Sequence, residues 1–414
     1  MKKWINRSRF SLFVVLQTIV LQGYTQEVAT IKQHFKLSGF IKSNYWFDTR
    51  KVDGSRDDLF LYYPKKPVYD IQGLDINEGF NANYSAINTR LTLTITGPEL
   101  LNAKVNGLIE SDYTGVTNAD IDGLRLRHAY ILMKWKKDEL LLGQTWHPMF
   151  VPDVFPEVLA FNTGAPFQPF IRNPMASYKH HFGKLSFQLA FIMQRDNNSD
   201  GPSGRSHLYM QEAGIPNSHI QLQYRFGNHV IGGAFDHKVL QPMSVTTNRY
   251  KTNELLSSLS GMAYWKYTKS KLTVQMKSIF GQNLTEHLML GGYAVASRDS
   301  VSLIETYTPT NHLFVWTGIH YGEKYRFGLF GGFAKNYGTS DRNINIYYGK
   351  GSDIDYMYRL APGFCYRTGP LRLAAELEYT AAAFGKADDH GRVKETSLTG
   401  VARLLFVAVY HFNN

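Results

Sequence analysis

The chain has 414 residues, 43% hydrophobic and 14% aromatic, with 26 Tyr, 26 Phe, one cysteine and a formal charge of +11. A mean hydropathy of −0.28 excludes a helical membrane protein, but not a transmembrane β-barrel, where only alternate residues meet lipid. The single Cys365 rules out a disulfide framework and a cysteine zinc site, and the abundance of Tyr and Phe favours strands.

The N-terminus reads as an export signal. Lys2, Lys3, Arg7 and Arg9 precede an apolar run, SLFVVLQTIVL (11–21), and small polar residues up to Thr25. That run is too short to span a membrane as a helix. Cleavage near Thr25/Gln26 would leave a net charge of +7, since the signal holds four basic residues and no acid. For an exported chain this charge implies anionic solutes or lipopolysaccharide as partners, and not nucleic acid. The division is a signal peptide (1–25), a short periplasmic segment (26–35) and one barrel domain (36–414).

From Lys36 onward the chain repeats strands of about ten alternating residues. In 36–50, Leu37, Ile41, Tyr45 and Phe47 share one face, and Lys36, Lys42, Asn44, Asp48 and Arg50 the other. Residues 87–96 alternate Ile87, Leu91, Leu93 and Ile95 with Asn88, Arg90, Thr92 and Thr94; 103–112 alternate Ala103, Val105 and Ile109 with Lys104, Asn106, Glu110 and Asp112. In LRLRHAYILMKW (124–135), Leu124 and Leu126 oppose Arg125 and Arg127. Segments 184–195, 219–226, 271–280 and 372–380 keep the pattern, and the last strand aligns Leu404, Phe406, Ala408, Tyr410 and Phe412. That terminal strand is similar to the C-terminal signal read by the outer-membrane barrel assembly machinery, apart from the trailing Asn413 and Asn414. Long polar links (51–79, 113–122, 147–172, 196–217, 239–253, 281–310, 338–352, 384–393) alternate with short ones such as 97–102, 136–139 and 226–229. Long loops on one side and tight turns on the other mark an outer-membrane barrel. The fold expected is an all-β, antiparallel transmembrane barrel of about 16 strands.

Lipid around such a barrel inverts the usual rule: apolar side chains point out and polar ones in. A charge on the lipid face costs about 2–4 kcal/mol near the midplane. Arg125 and Arg127 therefore belong to the lumen, as do Lys42, Arg90, Lys104, Glu110, Asp112, Arg225, Lys277, Arg372 and Glu376. Such a lumen is expected to be wet.

The stretches LRLRHAYILMKW, LLLGQTWHPMF (140–150) and VFPEVLAFNTGAPFQPFIRNP (154–174), with GFIKSNYWFDTR (39–50) and NTRLTL (88–93), resemble the DcaP-like family of trimeric outer-membrane porins. The resemblance covers about the first half of the chain. It implies sixteen strands, a homotrimer and a pore whose arginines favour small anions, dicarboxylates among them. It assigns Arg125 and Arg127 as a pore-lining basic pair, Arg90 as their neighbour and Arg172 as the basic residue after the third long loop. The ten residues 26–35 are shorter than the helical N-terminal segment that family members often carry.

The third long loop (147–174) is the candidate constriction, stiffened by Pro148, Pro152, Pro156, Pro166 and Pro169. Its Asp153 and Glu157 either set a transverse field against the wall arginines or simply pair with an arginine to hold the loop. Adjacent His180 and His181 point to opposite faces of a strand and cannot readily share a metal. His128 falls on the outward parity with Leu126 and Tyr130, at an aromatic band or subunit contact. Trp46, Trp135, Trp146, Trp265 and Trp316 fit interfacial girdles or a stacking slide in the lumen. No catalytic signature, metal or cofactor is expected. The function expected is a passive porin in the outer membrane for small hydrophilic, anionic solutes. The alternatives are a lipase-like barrel enzyme and a non-conducting adhesin or anchor.

Overall fold

A computed structural model describes residues 34–115 and 118–413. The segment expected to be a signal peptide (1–25) and residues 26–33 lie outside the described residues. Sixteen barrel strands follow one another: β1 (His34–Arg50), β2 in two pieces (Glu78–Ser85 and Arg90–Leu100), β3 (Ala103–Asp112), β4 (Arg125–Lys134), β5 (Asp138–Trp146), β6 (Arg172–Phe182), β7 (Leu185–Ile192) and β8 (Asn217–Phe226) in the first half. The second half adds β9 (His229–Leu240), β10 (Leu256–Lys269), β11 (Leu272–Gln282), β12 (Glu305–Gly322), β13 (Tyr325–Thr339), β14 (Ile354–Thr368), β15 (Leu371–Ala387) and β16 (Val393–Phe412). Each pairs antiparallel with its sequence neighbours, and β16 returns to β1, from Gly39 opposite Phe412 to Asp48 opposite Arg403. Closure leaves no exposed sheet edge, the requirement for crossing lipid with strands.

Turn chemistry explains the alternation of sides. Short turns of two or three residues join β2 to β3, β4 to β5 and every second pair thereafter. At the first of these, Leu101 and Asn102 both take positive φ, 52° and 60°, the two-residue geometry that matches strand twist. Where β1 runs past the start of β2's second piece, Gly39 is required: a Cβ there would lie 2.2 Å from the Arg90 carbonyl oxygen.

The wall is inverted relative to a soluble sheet. Ile41, Leu126, Ile131, Leu222, Phe235, Leu329 and Leu404 are exposed on the outside, while Asn44, Asp48, Gln221, Lys277, Arg359, Glu376 and Arg403 are buried inside. Buried charges need partners. Across the closing seam Arg403 makes two 2.7 Å bonds to Asp48.

The lumen differs from the wet channel that alternation implies. Two loop segments fold into it. The hairpin Val52–Ser55/Phe60–Pro64 contributes Phe60, Leu61 and Tyr62, and the link between β5 and β6 contributes Phe150, Val154, Phe161, Phe167 and Phe170, all buried in one apolar cluster apart from Leu61, which packs with Val52 and Val401. Apolar residues of loops carry no parity, so periodicity could not assign them a face. Beyond the barrel rim, Gly291–Arg298 pairs with the start of β12 and with Tyr347–Lys350. Part of the segment read as loop 281–310 is thus strand.

Three tryptophans depart from the expected girdles. Trp46 and Trp316 are 1% exposed and face inward, and Trp146 stacks on Phe150 at 4.0 Å inside the lumen. Trp135 and Trp265 do sit near the short-turn end, bonded to the Leu101 carbonyl and to His229. His128 is also corrected. A bulge places Glu110 opposite His128 and Ser111 opposite Leu126, so Arg127 and His128 both turn inward. The His128 ring meets Thr145 Oγ1 at 3.0 Å.

Candidate functional site: a plugged lumen with charged vestibules

On the wall formed by β2 to β6, strand register brings acids opposite bases. Asp112 on β3 faces Arg125 on β4 and accepts its Nε and Nη2 at 3.1 and 2.8 Å. Arg127 donates to Glu110 and to Asp112, each at 2.8 Å. Arg90 lies 3.4 Å from Glu110. Arg172, at the start of β6, donates to Asp196 at 2.8 Å and lies over the Trp146 ring at 4.5 Å. The expected basic pair is therefore largely neutralised by its own wall. Replacing Arg127 by alanine leaves Glu110 and the fully buried Asp112 short of a partner. The expected cost is about 3–5 kcal/mol, read as a lower urea midpoint in detergent.

Asp196, in the loop after β7, is the third acid of this cluster. Burial pushes its carboxyl up, and the guanidiniums of Arg172, Arg125 and Arg127 more than offset that, leaving it below the usual carboxylate range. A depressed acid stabilises the fold above its unfolded value, about pH 4, and that contribution is lost as pH falls toward the folded value. The loop 193–216 is therefore expected to loosen only in strong acid. Pepsin should nick it near Leu208 at the low end of pH 2–4 in the wild type, and already at the high end in Asp196→Asn.

The loop between β5 and β6 spans 147–171, since Arg172, Asn173 and Pro174 already belong to β6. It is tied down from several walls. Lys277 donates to the carbonyls of Met149 and Phe150 at 3.1 and 2.8 Å. Trp316 Nε1 donates to Gln168 at 2.9 Å. Glu376 accepts the amides of Leu159 and Ala160 at 2.8 and 3.1 Å, and Lys42 donates to the Leu159 carbonyl at 2.9 Å. Arg359 donates to the carbonyls of Ala165, Leu61 and Tyr62, joining both inserted segments. Glu157 shares a cavity with Arg90 and Arg127 without pairing to either, and Asp153 does not line it. Arg225 donates to Asp153 and Arg326 to Glu157, each at 2.5 Å. The pairing that holds the loop is the arrangement found.

Two cavities flank this plug. The larger, about 470 Å³, lies toward the short turns and is lined by Lys42, Arg90, Arg127, Arg326, Arg367 and Arg372, six cations, against the acids Glu157 and Glu376. The smaller, about 50 Å³, lies toward the long loops and is lined by Arg56, Arg125, Arg172, Arg205 and Asp196. Phe161 and Phe170 line both. With Phe60 they form a triad of rings, centroids 5.8 to 6.1 Å apart, a septum between two basic vestibules.

Among the residues expected from sequence, Arg90, Arg127, Lys42 and Glu157 meet at the larger cavity, and Arg125 and Arg172 at the smaller. Glu110 and Asp112 stand behind them as counter-charges. Asp153 is half-exposed beside Arg225. Lys104 does not join the site: it is exposed at the short-turn end, opposite Lys134 and Glu99. Sequence reasoning missed Arg326 and Arg367, which sit at strand ends where parity is least clear, and Arg56 and Arg205, which lie in loops. Arg367 and Arg372 face each other across the β14–β15 hairpin and form no ion pair among the described residues.

No protein-family model matches the chain, and no curated protein matches it. Solved structures do. The outer membrane channel DcaP of Acinetobacter baumannii superposes with a TM-score of 0.69 at 16% identity, covering 94% of this chain and 99% of that one. Outer-membrane expressed OmpT of Vibrio cholerae gives 0.55 at 9% identity, with 94% and 100% covered. Salmonella typhi OmpF, in a complex with daunomycin, gives 0.51 at 10%, with 91% and 97% covered. The chain thus has the sixteen-stranded barrel fold of outer membrane channels, and the likeness to DcaP bears out at the level of fold the resemblance read from the motifs.

Proposed function

We propose that the protein is a passive channel of the bacterial outer membrane for small hydrophilic solutes, with a preference for anions such as dicarboxylates. The observation that carries this reading is a closed barrel with an apolar exterior whose lumen holds a cavity of about 470 Å³ lined by six cationic and two acidic side chains. Arg90, Arg127 and Arg326 have carboxylate partners, so Lys42, Arg367 and Arg372 supply most of the uncompensated field. Such a field raises the local concentration of anions in a low-dielectric vestibule. The apolar belt faces lipid and lipopolysaccharide. Assembly as a homotrimer follows from the family resemblance, and one Vibrio cholerae OmpT structure is described as a trimer form. Nothing in the reading calls for catalysis or a cofactor.

Liposome swelling tests it. A C4 dicarboxylate should enter faster than a neutral sugar of similar mass. Equal rates would remove the anion preference, and no entry of either would remove the channel. The packed ring septum favours a second reading, a barrel closed at rest that serves as an anchor. That reading predicts no swelling until the septum is opened.

A further inference from the structure

At the root of the inserted loop, His147 reaches His219 of β8 and Asp236 of β9, which are direct cross-strand partners. All three are buried, and their donor atoms lie within 4.8 Å of one another. Asp236 Oδ2 is 3.0 Å from His219 Nδ1 and 3.7 Å from His147 Nε2. Donors around a tetrahedral ion with bonds near 2.0–2.1 Å stand about 3.3 Å apart, so both spacings to Asp236 suit one ion, and the two rings, within 4.8 Å, close on it when it binds.

A chain of hydrogen bonds fixes how His219 is turned. Asp153 is a carboxylate and only accepts, here from Gln223 Nε2 at 3.2 Å. Gln223 Oε1 then accepts from the Tyr264 hydroxyl at 3.0 Å, whose oxygen accepts from Gln221 Nε2 at 2.7 Å. That leaves Gln221 Oε1 as the acceptor for His219 Nε2–H at 3.2 Å. Nδ1 therefore aims at a carboxylate and needs either a proton or a cation there. A ring nitrogen held by an outer amide oxygen while the other meets the ion is the usual arrangement of a metal-bound histidine. Independently, the Oδ1 of buried Asn217 has no partner while its Nδ2 stands 3.1 Å from His147 Nε2, so a half-turn of the amide brings the oxygen to that ring nitrogen.

We propose that His147 Nε2, His219 Nδ1 and Asp236, with the Asn217 amide oxygen, form a site for a borderline divalent metal of the zinc class, stapling the loop root to the barrel wall. Two imidazoles, a carboxylate and an amide oxygen suit such an ion better than calcium or magnesium. On binding, the proton between His219 Nδ1 and Asp236 leaves to solvent, one per ion. His147 Nε2, which faces the Asn217 Nδ2 donor, meets the ion through its lone pair once that amide turns; the ring proton then sits on Nδ1, and the long 3.3 Å bond from the Met149 amide is given up. The nearby Lys238 is paired with Glu286 and does not oppose the ion.

Because the site is buried, it is loaded during folding. The untagged mature chain is refolded from urea into detergent with zinc chloride, passed into metal-free buffer, and its zinc counted by atomic absorption. One zinc per folded chain is expected, falling below a tenth in His219→Gln and Asp236→Asn. Cobalt substitution should give the intense visible bands of four-coordinate geometry. His180 and His181, beside Asp138 and Glu139 at the surface, are the competing site, so His180→Gln/His181→Gln should keep its zinc. Folded wild type without zinc overturns the proposal, as does zinc that survives His219→Gln but not the His180/His181 variant. Should the core variants fail to fold, the wild-type zinc count and cobalt spectrum decide: a weak octahedral spectrum overturns it.

Discussion

Replacing Phe161 and Phe170 together by alanine is expected to raise single-channel conductance sharply. These rings line both cavities and, with Phe60, separate them. A hydrophobic constriction blocks ions by excluding water, so widening and wetting it should raise conductance roughly three-fold or more. Each ring is deeply buried, about 5% exposed, so removing one costs about 3–5 kcal/mol of packing. The loop keeps its ties to Lys277, Trp316, Glu376 and Arg359, and the barrel should stay closed. Planar-bilayer recordings check the result, with heat modifiability as the folding control. An unchanged conductance would place the solute path elsewhere in the lumen.

The second large effect concerns charge. Arg367→Glu/Arg372→Glu is expected to lower the anion-to-cation permeability ratio roughly three- to ten-fold, since a unit charge about 8 Å from a passing ion is worth about 0.5 kcal/mol in water before salt screening. Both arginines line the larger cavity and neither has a carboxylate partner to lose among the described residues, so folding should survive. The contrast with Arg125 and Arg127 is the point of the experiment. Those residues hold Asp112, Glu110 and Asp196, so their removal should register first as lost stability and only weakly as lost selectivity. Reversal potentials under a salt gradient separate the two behaviours.

The barrel itself was legible because lipid leaves a strong mark on alternation. Leu222 outside and Gln221 inside follow directly from HIQLQYRF, and the side of each turn follows from its length. The strand count came from the same repeat. What alternation could not reveal is pairing. Whether Arg127 meets solvent or Glu110 depends on register, and here on a bulge that turns His128 inward as well. Nor could it show that Phe60, Phe161 and Phe170, distant in sequence and placed in loops, converge in the lumen. The family resemblance pointed to the right fold. It did not distinguish a guanidinium that sets the field of a vestibule from one that balances a buried carboxylate. Trp46 and Trp316 illustrate the remaining gap: an aromatic of inward parity is a lumen residue even where its type suggests a membrane girdle.

The most direct measurement is the reversal potential of the purified, detergent-folded protein in a planar bilayer under a potassium chloride gradient. Discrete conductance steps with a reversal potential of the sign set by chloride are the predicted result. A correctly folded barrel that passes no current, or one whose reversal potential follows potassium, would contradict the account of a basic, anion-favouring channel.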